Sequence, residues 1–241
     1  MRFPGIDAAL GSLPAPRRGQ IGAMLCRLRR PAWMGTLRRI TPLSNRYGFD
    51  RGTPIDRYYI EQFLEEYRSD IRGHVLEVKN TRYAARFGGD VERYSVLDID
   101  PSNPCATIHA DLAAAHHVAA DQFDCFILTQ TLHFIFDIRA AVAHAHRMLR
   151  SGGVLLATIP AISRIDRELA ASDYWRLSPA ACSTLFQEVF DADRTTVRAY
   201  GNVLAGTAFW NGMAAEELRP RELDAYDAFF PVVVAVRAVK T

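Results

Sequence analysis

Between residues 73 and 160, short apolar runs alternate with amphipathic stretches, and most runs end at or beside an acidic residue. The runs cover residues 74–78, 94–99, 107–110, 124–129 and 154–159. They are mostly continuous rather than alternating, as expected of strands buried on both faces of a parallel sheet. Upstream, Ile55, Tyr59, Phe63 and Tyr67 recur at four-residue spacing with Ile60 and Leu64 beside them, which predicts a helix packed on that sheet. Thr53 suits its N-cap, Pro54 its first position, and Asp56 follows three residues after the cap. Residues 137–150 predict a second helix with Ile138, Ala141, Val142, Ala145, Met148 and Leu149 inward. Arg147 and Arg150 complement its C-terminal dipole, and Gly152–Gly153 end it. Beyond it the pattern predicts a helix from Ser178 and Pro179 to Phe190, a strand at 195–200, helix at 204–218 and a last strand at 230–239. The expected fold is α/β, a doubly wound, Rossmann-like and mostly parallel sheet with an antiparallel last strand at its edge.

The first 49 residues break this pattern. From residue 8 to 49 there is no Asp or Glu but eight Arg, interrupted by Pro14, Pro16, Pro31 and Pro42. The expected organisation is a basic N-terminal extension at 1–49, an arm or lid with a short amphipathic helix around 21–28, and one domain at 50–241. A chain of 241 residues with 49% hydrophobic residues supports one such domain with a well-covered sheet. A net charge of +2 is too small to make nucleic acid or membrane the main partner. No apolar run is long enough to span a bilayer, and the N-terminus lacks a signal-peptide apolar core. The four cysteines show no metal-ligand spacing, which favours reduced thiols in a cytoplasmic protein. His116–His117 and the i, i+2 pair His144/His146 make no metal site, because neither pair shares a face. Serine-hydrolase, phosphate-loop and dinucleotide-binding glycine motifs are all missing.

Strands that end on one edge of a parallel sheet set their following loops around a common crevice. Carboxylates at such ends, here Glu77, Asp98, Asp100 and Asp111, suit ribose hydroxyls and an adenine amine, which points to an adenosine-containing cofactor.

The order VLEV (residues 75–78), ADL (110–112), FDCFILTQTLHFI (123–135), MLRSGGVLLATIP (148–160) and YWRLSP (174–179) resembles the class I S-adenosylmethionine-dependent methyltransferases, in particular the small-molecule branch called type 11. The resemblance runs from about Asp50 to the C-terminus. It implies S-adenosyl-L-methionine as cofactor, with Glu77 near the methionine amino group. Asp100, twenty-three positions after Glu77, is expected at the ribose, with Asp98 its rival on the same strand face. Asp111 and the Leu112 backbone are expected at the adenine edge, and Thr129 and Gln130 along the methionine. His133 is the candidate base for a hydroxyl acceptor; a histidine merely packed in its loop is the equal alternative. Arg57, Tyr58 and Tyr59 on the first helix are candidates to cover the cofactor, Tyr59 more plainly as part of the core stripe. Tyr58, Tyr174 and Trp175 are candidates for substrate binding, with plain packing an equal alternative for the last two.

One departure stands out. Such families follow the strand-one acid with a glycine-rich turn, E-x-G-x-G-x-G, whereas here it reads Glu77-Val78-Lys79-Asn80-Thr81-Arg82-Tyr83. Asn80 tolerates a left-handed conformation. Lys79 has two readings: an ammonium for the cofactor's carboxylate, or a side chain occupying the pocket. A sub-branch with G-D/N-x-x-Y in this turn, preceded by a segment similar to RGTPIDRYYIE (51–61), lessens the anomaly. The function implied is methyl transfer to a small molecule, first to oxygen, with a sugar or glycosylated metabolite the leading acceptor. The alternative is a methyltransferase-like protein that has lost transfer, and a nucleic-acid methyltransferase using the arginine-rich arm is weaker still. Oligomeric state has no signal in the sequence.

Overall fold

The apolar runs become neighbouring strands of a single sheet. The structure, a computed structural model, describes residues 35–241 and, ahead of them, Ile21, Met24 and Leu28. These three are helical and exposed; the rest of the expected 21–28 helix and of the arm up to residue 34 lies outside the described residues. Met1–Thr41 and Pro42–Thr241 are separate units. Among the described residues, no helix is long and apolar enough to cross a membrane.

The strands are β1 (Gly73–Val78), β2 (Val91–Asp98), β3 (Ile108–His109), β4 (Phe123–Thr129), β5 (Leu149–Pro160), β6 (Thr195–Tyr200) and β7 (Val233–Val239). Their order is β3-β2-β1-β4-β5-β7-β6. Every pair up to β5 is parallel, and β7 runs antiparallel between β5 and β6. The helices are α1 (Ile55–Glu66), α2 (Arg82–Phe87), α3 (Ile138–Met148), α4 (Pro179–Phe186), α5 (Val203–Trp210) and α6 (Pro220–Leu223).

Strand alternation sorts the core into two layers. Leu76, Phe126, Leu128 and Leu155 join Ala141, Val142, Ala145 and Met148 of α3 and Phe186 of α4 on one face. Val75, Cys125, Ile127 and Leu156 join Tyr59, Ile60 and Phe63 of α1, Tyr83 and Phe87 of α2 and Phe209 of α5 on the other. Each apolar strand residue thus has a helix to meet, which is why the strands read as unbroken apolar runs. Strand order reverses at β1, whose neighbours are β2 and β4, so a crevice opens beyond their carboxyl ends.

Several boundaries differ from expectation. Pro54, not Thr53, takes the N-cap position of α1, and no side chain caps the helix. Thr53 is held by tertiary pairing instead: its amide donates to Glu216 and its carbonyl accepts from Ala215 at 2.7 Å, beside a Pro54–Ala214 bridge. Gly152 and Gly153 do not stop α3 but lie inside β5, which starts directly at Leu149. Gly152 has φ 77°, and a Cβ on Gly153 would stand 2.8 Å from the Phe123 carbonyl oxygen. The pair accommodates the register shift between β4 and β5. α4 ends at Phe186 rather than Phe190. α5 ends at Trp210, and Gly212, at φ 69°, turns the chain so tightly that a Cβ would strike the Ser44 carbonyl.

Candidate active site

The turn after β1 is built without glycine. Lys79 adopts φ 73°, so the left-handed residue is Lys79 and not Asn80 as expected. Asn80 acts through its side chain instead, and its Oδ1 accepts the Arg82 amide at 3.0 Å. The Glu77 carboxylate accepts the amides of Tyr83 at 3.0 Å and Ala84 at 2.8 Å. Together Asn80 and Glu77 satisfy three first-turn donors of α2, a service that Thr81 at the N-cap position does not perform. Glu77 is 3% exposed. Burial pushes its carboxyl up to about 7, against the two amides and Arg82, which favour the ionised form.

At the neighbouring strand ends the acids hold their own loops. Asp98 accepts the Asp100 amide at 3.0 Å and the Asn103 side chain at 2.6 Å. Asn103 also donates to the Lys79 carbonyl at 2.8 Å, tying the β1 turn to the end of β2. In the sequence Asn103 is marked only by its place soon after a strand-ending Asp. Asp100 is exposed and accepts from the Ser102 amide and hydroxyl, which hold its carboxyl below the usual range. Asp111, also exposed, caps the short 3-10 turn Leu112–Ala114 through the Ala113 amide, and Leu112 is buried beneath it.

A cavity of about 380 Å³ opens at the ends of β1, β4 and β5 and brings together Glu77, Lys79, Asn80, Thr129, Gln130 and His133. Asp98, Asp100, Asp111 and Leu112 lie outside its lining, along the β2–β3 edge. Tyr58, Tyr174 and Trp175 are not in it either. Tyr58 donates to Asp224 at 2.7 Å. The amides of Tyr174 and Trp175 donate to the His133 carbonyl at 2.9 and 3.2 Å, and the Trp175 indole donates to the Ile135 carbonyl. These two residues stand behind His133 and hold its loop.

Arg57, a candidate from the sequence to cover the cofactor, and Tyr47, which carried no sequence signal, also line the cavity. Arg57, on α1, lies with its guanidinium 5.2 Å from the Phe49 ring centre and 5.6 Å from that of Tyr83. Tyr47 donates to Asp166 at 3.0 Å, and Arg164 stacks 3.6 Å over its ring. That joins the segment before α1 to the loop after β5.

Tyr83 Oη, Gln130 Nε2 and His133 Nδ1 are enclosed without a partner among the described residues. Native interiors rarely leave such groups unmet, and all three residues belong to the lining of this one cavity. Gln130 also has φ 45°, where a left-handed backbone is held by its amide's bond to the Thr158 carbonyl at 2.9 Å. His133 is 6% exposed. Burial pulls its imidazolium down to about 4, with Asp173 opposing, so the ring is neutral near pH 7.

Comparison with known proteins bears on the domain and the fold. Residues 67–157 match the family described as methyltransferase domain. In three dimensions the chain is similar to the N-methyltransferase NodS from Bradyrhizobium japonicum WM9 in complex with S-adenosyl-L-homocysteine, at 15% identity and a TM-score of 0.51, over 82% of this chain and 93% of that one. It is similar also to a SAM-dependent methyltransferase from Archaeoglobus fulgidus, at 10% identity and a TM-score of 0.50, over 76% of this chain and 94% of that one. No curated protein matches the chain in sequence.

Proposed function

We propose that this chain, a class I S-adenosylmethionine-dependent methyltransferase by its domain match and its fold, methylates a hydroxyl group of a small molecule. The observation that carries the reading is the shared cavity. The β1 turn, Gln130 and the neutral ring of His133 all line one enclosure of small-molecule size.

The residues present fit the cofactor. Gln130 Nε2 and Tyr83 Oη are unmet polar groups beside the β1 turn, where the methionine part would lie. Lys79, exposed and part of the lining, would offer its ammonium to the carboxylate, and Glu77 has lone pairs left for an amino group after its two backbone bonds. Asp98 or Asp100 would take the ribose, and Asp111 with the Leu112 amide the adenine edge. Thr129 and Gln130 would follow the methionine chain. When bound, S-adenosylmethionine supplies a methyl group on a sulfonium.

The chain's own share of the chemistry is alignment and proton removal. His133 Nδ1 is enclosed, which leaves Nε2 as the ring atom to face an acceptor. A hydroxyl oxygen becomes strongly acidic as it acquires a methyl group. Even an imidazole of low basicity then suffices to take the proton, and being neutral at pH 7 it is ready to do so. Tyr174 and Trp175 serve by positioning His133 through its carbonyl. A sugar or glycosylated metabolite is the acceptor class we favour, on the sequence resemblance. Free Cys105, Cys125 and Cys182 fit a cytoplasmic setting.

The test is titration with S-adenosylhomocysteine followed by transfer assays with labelled S-adenosylmethionine over hydroxyl and amine acceptors. Methyl ethers as products support the reading. Methylamines alone, or no cofactor binding by folded protein, overturn it.

A further inference from the structure

Next to the reaction cavity lies a second hollow of opposite character, with a volume of about 500 Å³. Val203 and Trp210 of α5 form part of its wall, together with Leu177, Phe229, Phe230 and Pro231. Ile162, just past the end of β5, lines both spaces. Gly206 gives Ile162 its room: a Cβ there would come within 3.0 Å of Ile162 Cδ1. A glycine inside a helix weakens it, so the close approach carries a cost that α5 bears.

The polar groups at the border of this hollow are already engaged. Asn202 donates to the Glu222 and Ala225 carbonyls, and its Oδ1 caps α5 through Leu204 and Ala205. Thr207 donates to the Val203 carbonyl, Ser178 accepts the Ala181 amide, and Arg176 is paired with Asp173. The hollow therefore offers apolar surface and no unmet hydrogen-bonding group from these side chains. The first cavity is the reverse, with Tyr83, Gln130 and His133 unmet. Val203, Trp210, Phe230 and Phe229 are all exposed, Phe229 at 88%, an apolar cluster that a protein seldom leaves facing water without a use for it.

We propose that this hollow receives the apolar part of the acceptor. The substrate is amphipathic: its hydroxyl-bearing end lies beside His133, and an alkyl, isoprenoid or ring portion passes Ile162 into the groove between α5 and residues 229–231. A glycoside with an apolar aglycone has both ends. The proposal rests on the methyl-transfer reading. Its specific ground is that Ile162 lines both spaces, one with unmet polar residues in its walls and the other with its bordering polar side chains already engaged.

Methyl, hexyl and octyl β-D-glucosides, each below its micelle concentration, test it by calorimetry on the full chain. Affinity should rise roughly tenfold from hexyl to octyl, as two added methylenes are buried, with methyl glucoside binding too weakly to measure. Trp210→Ala and Val203→Asp should each weaken octyl glucoside at least tenfold. Both positions are exposed, and an acid at the first position of α5 suits the helix dipole, so the variants should fold. S-adenosylhomocysteine affinity should stay within twofold throughout. Affinity independent of chain length, or unchanged in both variants, overturns the proposal. So does a wild-type dimer in sedimentation that Trp210→Ala dissociates, since a second copy would then cover the groove. If octyl glucoside binds as expected and S-adenosylhomocysteine does not, the methyl-transfer reading fails, and the acceptor assignment falls with it while the groove's apolar affinity stands.

Discussion

Glu77, at the end of β1, accepts the Ala84 amide at 2.8 Å and so closes the first turn of the helix that follows it. The same burial that makes this cap effective opposes its charge and raises the carboxyl from 4.5 to about 7. An acid whose folded value lies above its unfolded value adds stability below pH 4.5 and loses it as pH rises through 7. Over that interval the loss is about 3 kcal/mol. Glu77→Gln removes the titration and one acceptor. The stability gap between wild type and variant in urea unfolding should therefore narrow by about that amount between pH 4.5 and 7.5. His133 titrates in the opposite sense in both proteins and cancels in the difference. A gap that does not vary with pH would mean that Glu77 titrates alike in the folded and unfolded chain.

Lys79 combines a left-handed backbone with a cationic side chain in the cavity lining. Lys79→Gly separates the two. Glycine relieves a conformation that costs other residues roughly 1–2 kcal/mol, less the entropy it adds to the unfolded chain, so stability should hold or rise slightly. Affinity for S-adenosylhomocysteine should fall about tenfold if the ammonium meets the carboxylate. Tighter binding by the glycine variant would show instead that the lysine obstructs the pocket.

Among the described residues the Asp100 and Asp111 side chains bond only to their own turns, so neither is needed to hold the sheet. Asp100→Ala should weaken S-adenosylhomocysteine binding roughly ten- to hundredfold, the range for hydrogen bonds to a charged group, with the melting temperature nearly unchanged. Asp111→Ala should weaken binding similarly and also cost about 1 kcal/mol for its lost cap. Unchanged affinity in both places the adenosine elsewhere.

The sheet was readable because each buried strand is a continuous apolar run; the strand at Thr195–Tyr200 has the very bounds its pattern predicts. α2 was not readable. Its six residues are too few for a period, and its cap comes from Glu77 on the strand before it. Thr53 failed as a cap because contacts with Glu216 and Ala215, more than 160 positions away, claimed its backbone. The same division applies to the site. Residues at strand ends, such as Glu77, Thr129 and Gln130, were legible because topology alone gathers them. Tyr47 and Asn103 were not, because their places depend on how irregular segments fold back onto the sheet.

His133 should act through its neutral ring. His133→Ala should lower kcat by roughly a hundred- to ten-thousandfold, the span for loss of a positioned base, with S-adenosylhomocysteine affinity retained. Because burial holds the imidazolium near 4, wild-type kcat should show no inflection from this group between pH 6 and 8. It should fall only as pH drops toward 4. An inflection near 6.5 abolished by the variant would mean that the ring is solvated in the working enzyme.

Arg176 and Asp173 lock the loop that backs His133. The guanidinium engages Asp173 with both arms and donates to the carbonyls of Ser163, Arg164 and Trp175. The Asp173 side chain is fully enclosed, and its second oxygen also accepts the Asp166 amide at 2.8 Å. Burial pushes the Asp173 carboxyl up, yet the hydrogen bond from Arg176 outweighs it with the help of the other partners, and the group stays below its usual range. Arg176→Ala strands that carboxylate without its cation, for which about 3–5 kcal/mol is the expected destabilisation. Asp173→Ala leaves a partly exposed arginine that water can reach, and should cost less. The double variant should therefore recover part of the Arg176→Ala loss, a coupling that a double-mutant cycle in urea reads directly. If the two single losses simply add, the pair does not hold the loop. The catalytic effect of Arg176→Ala, a drop in kcat through a displaced His133 carbonyl, should then disappear too.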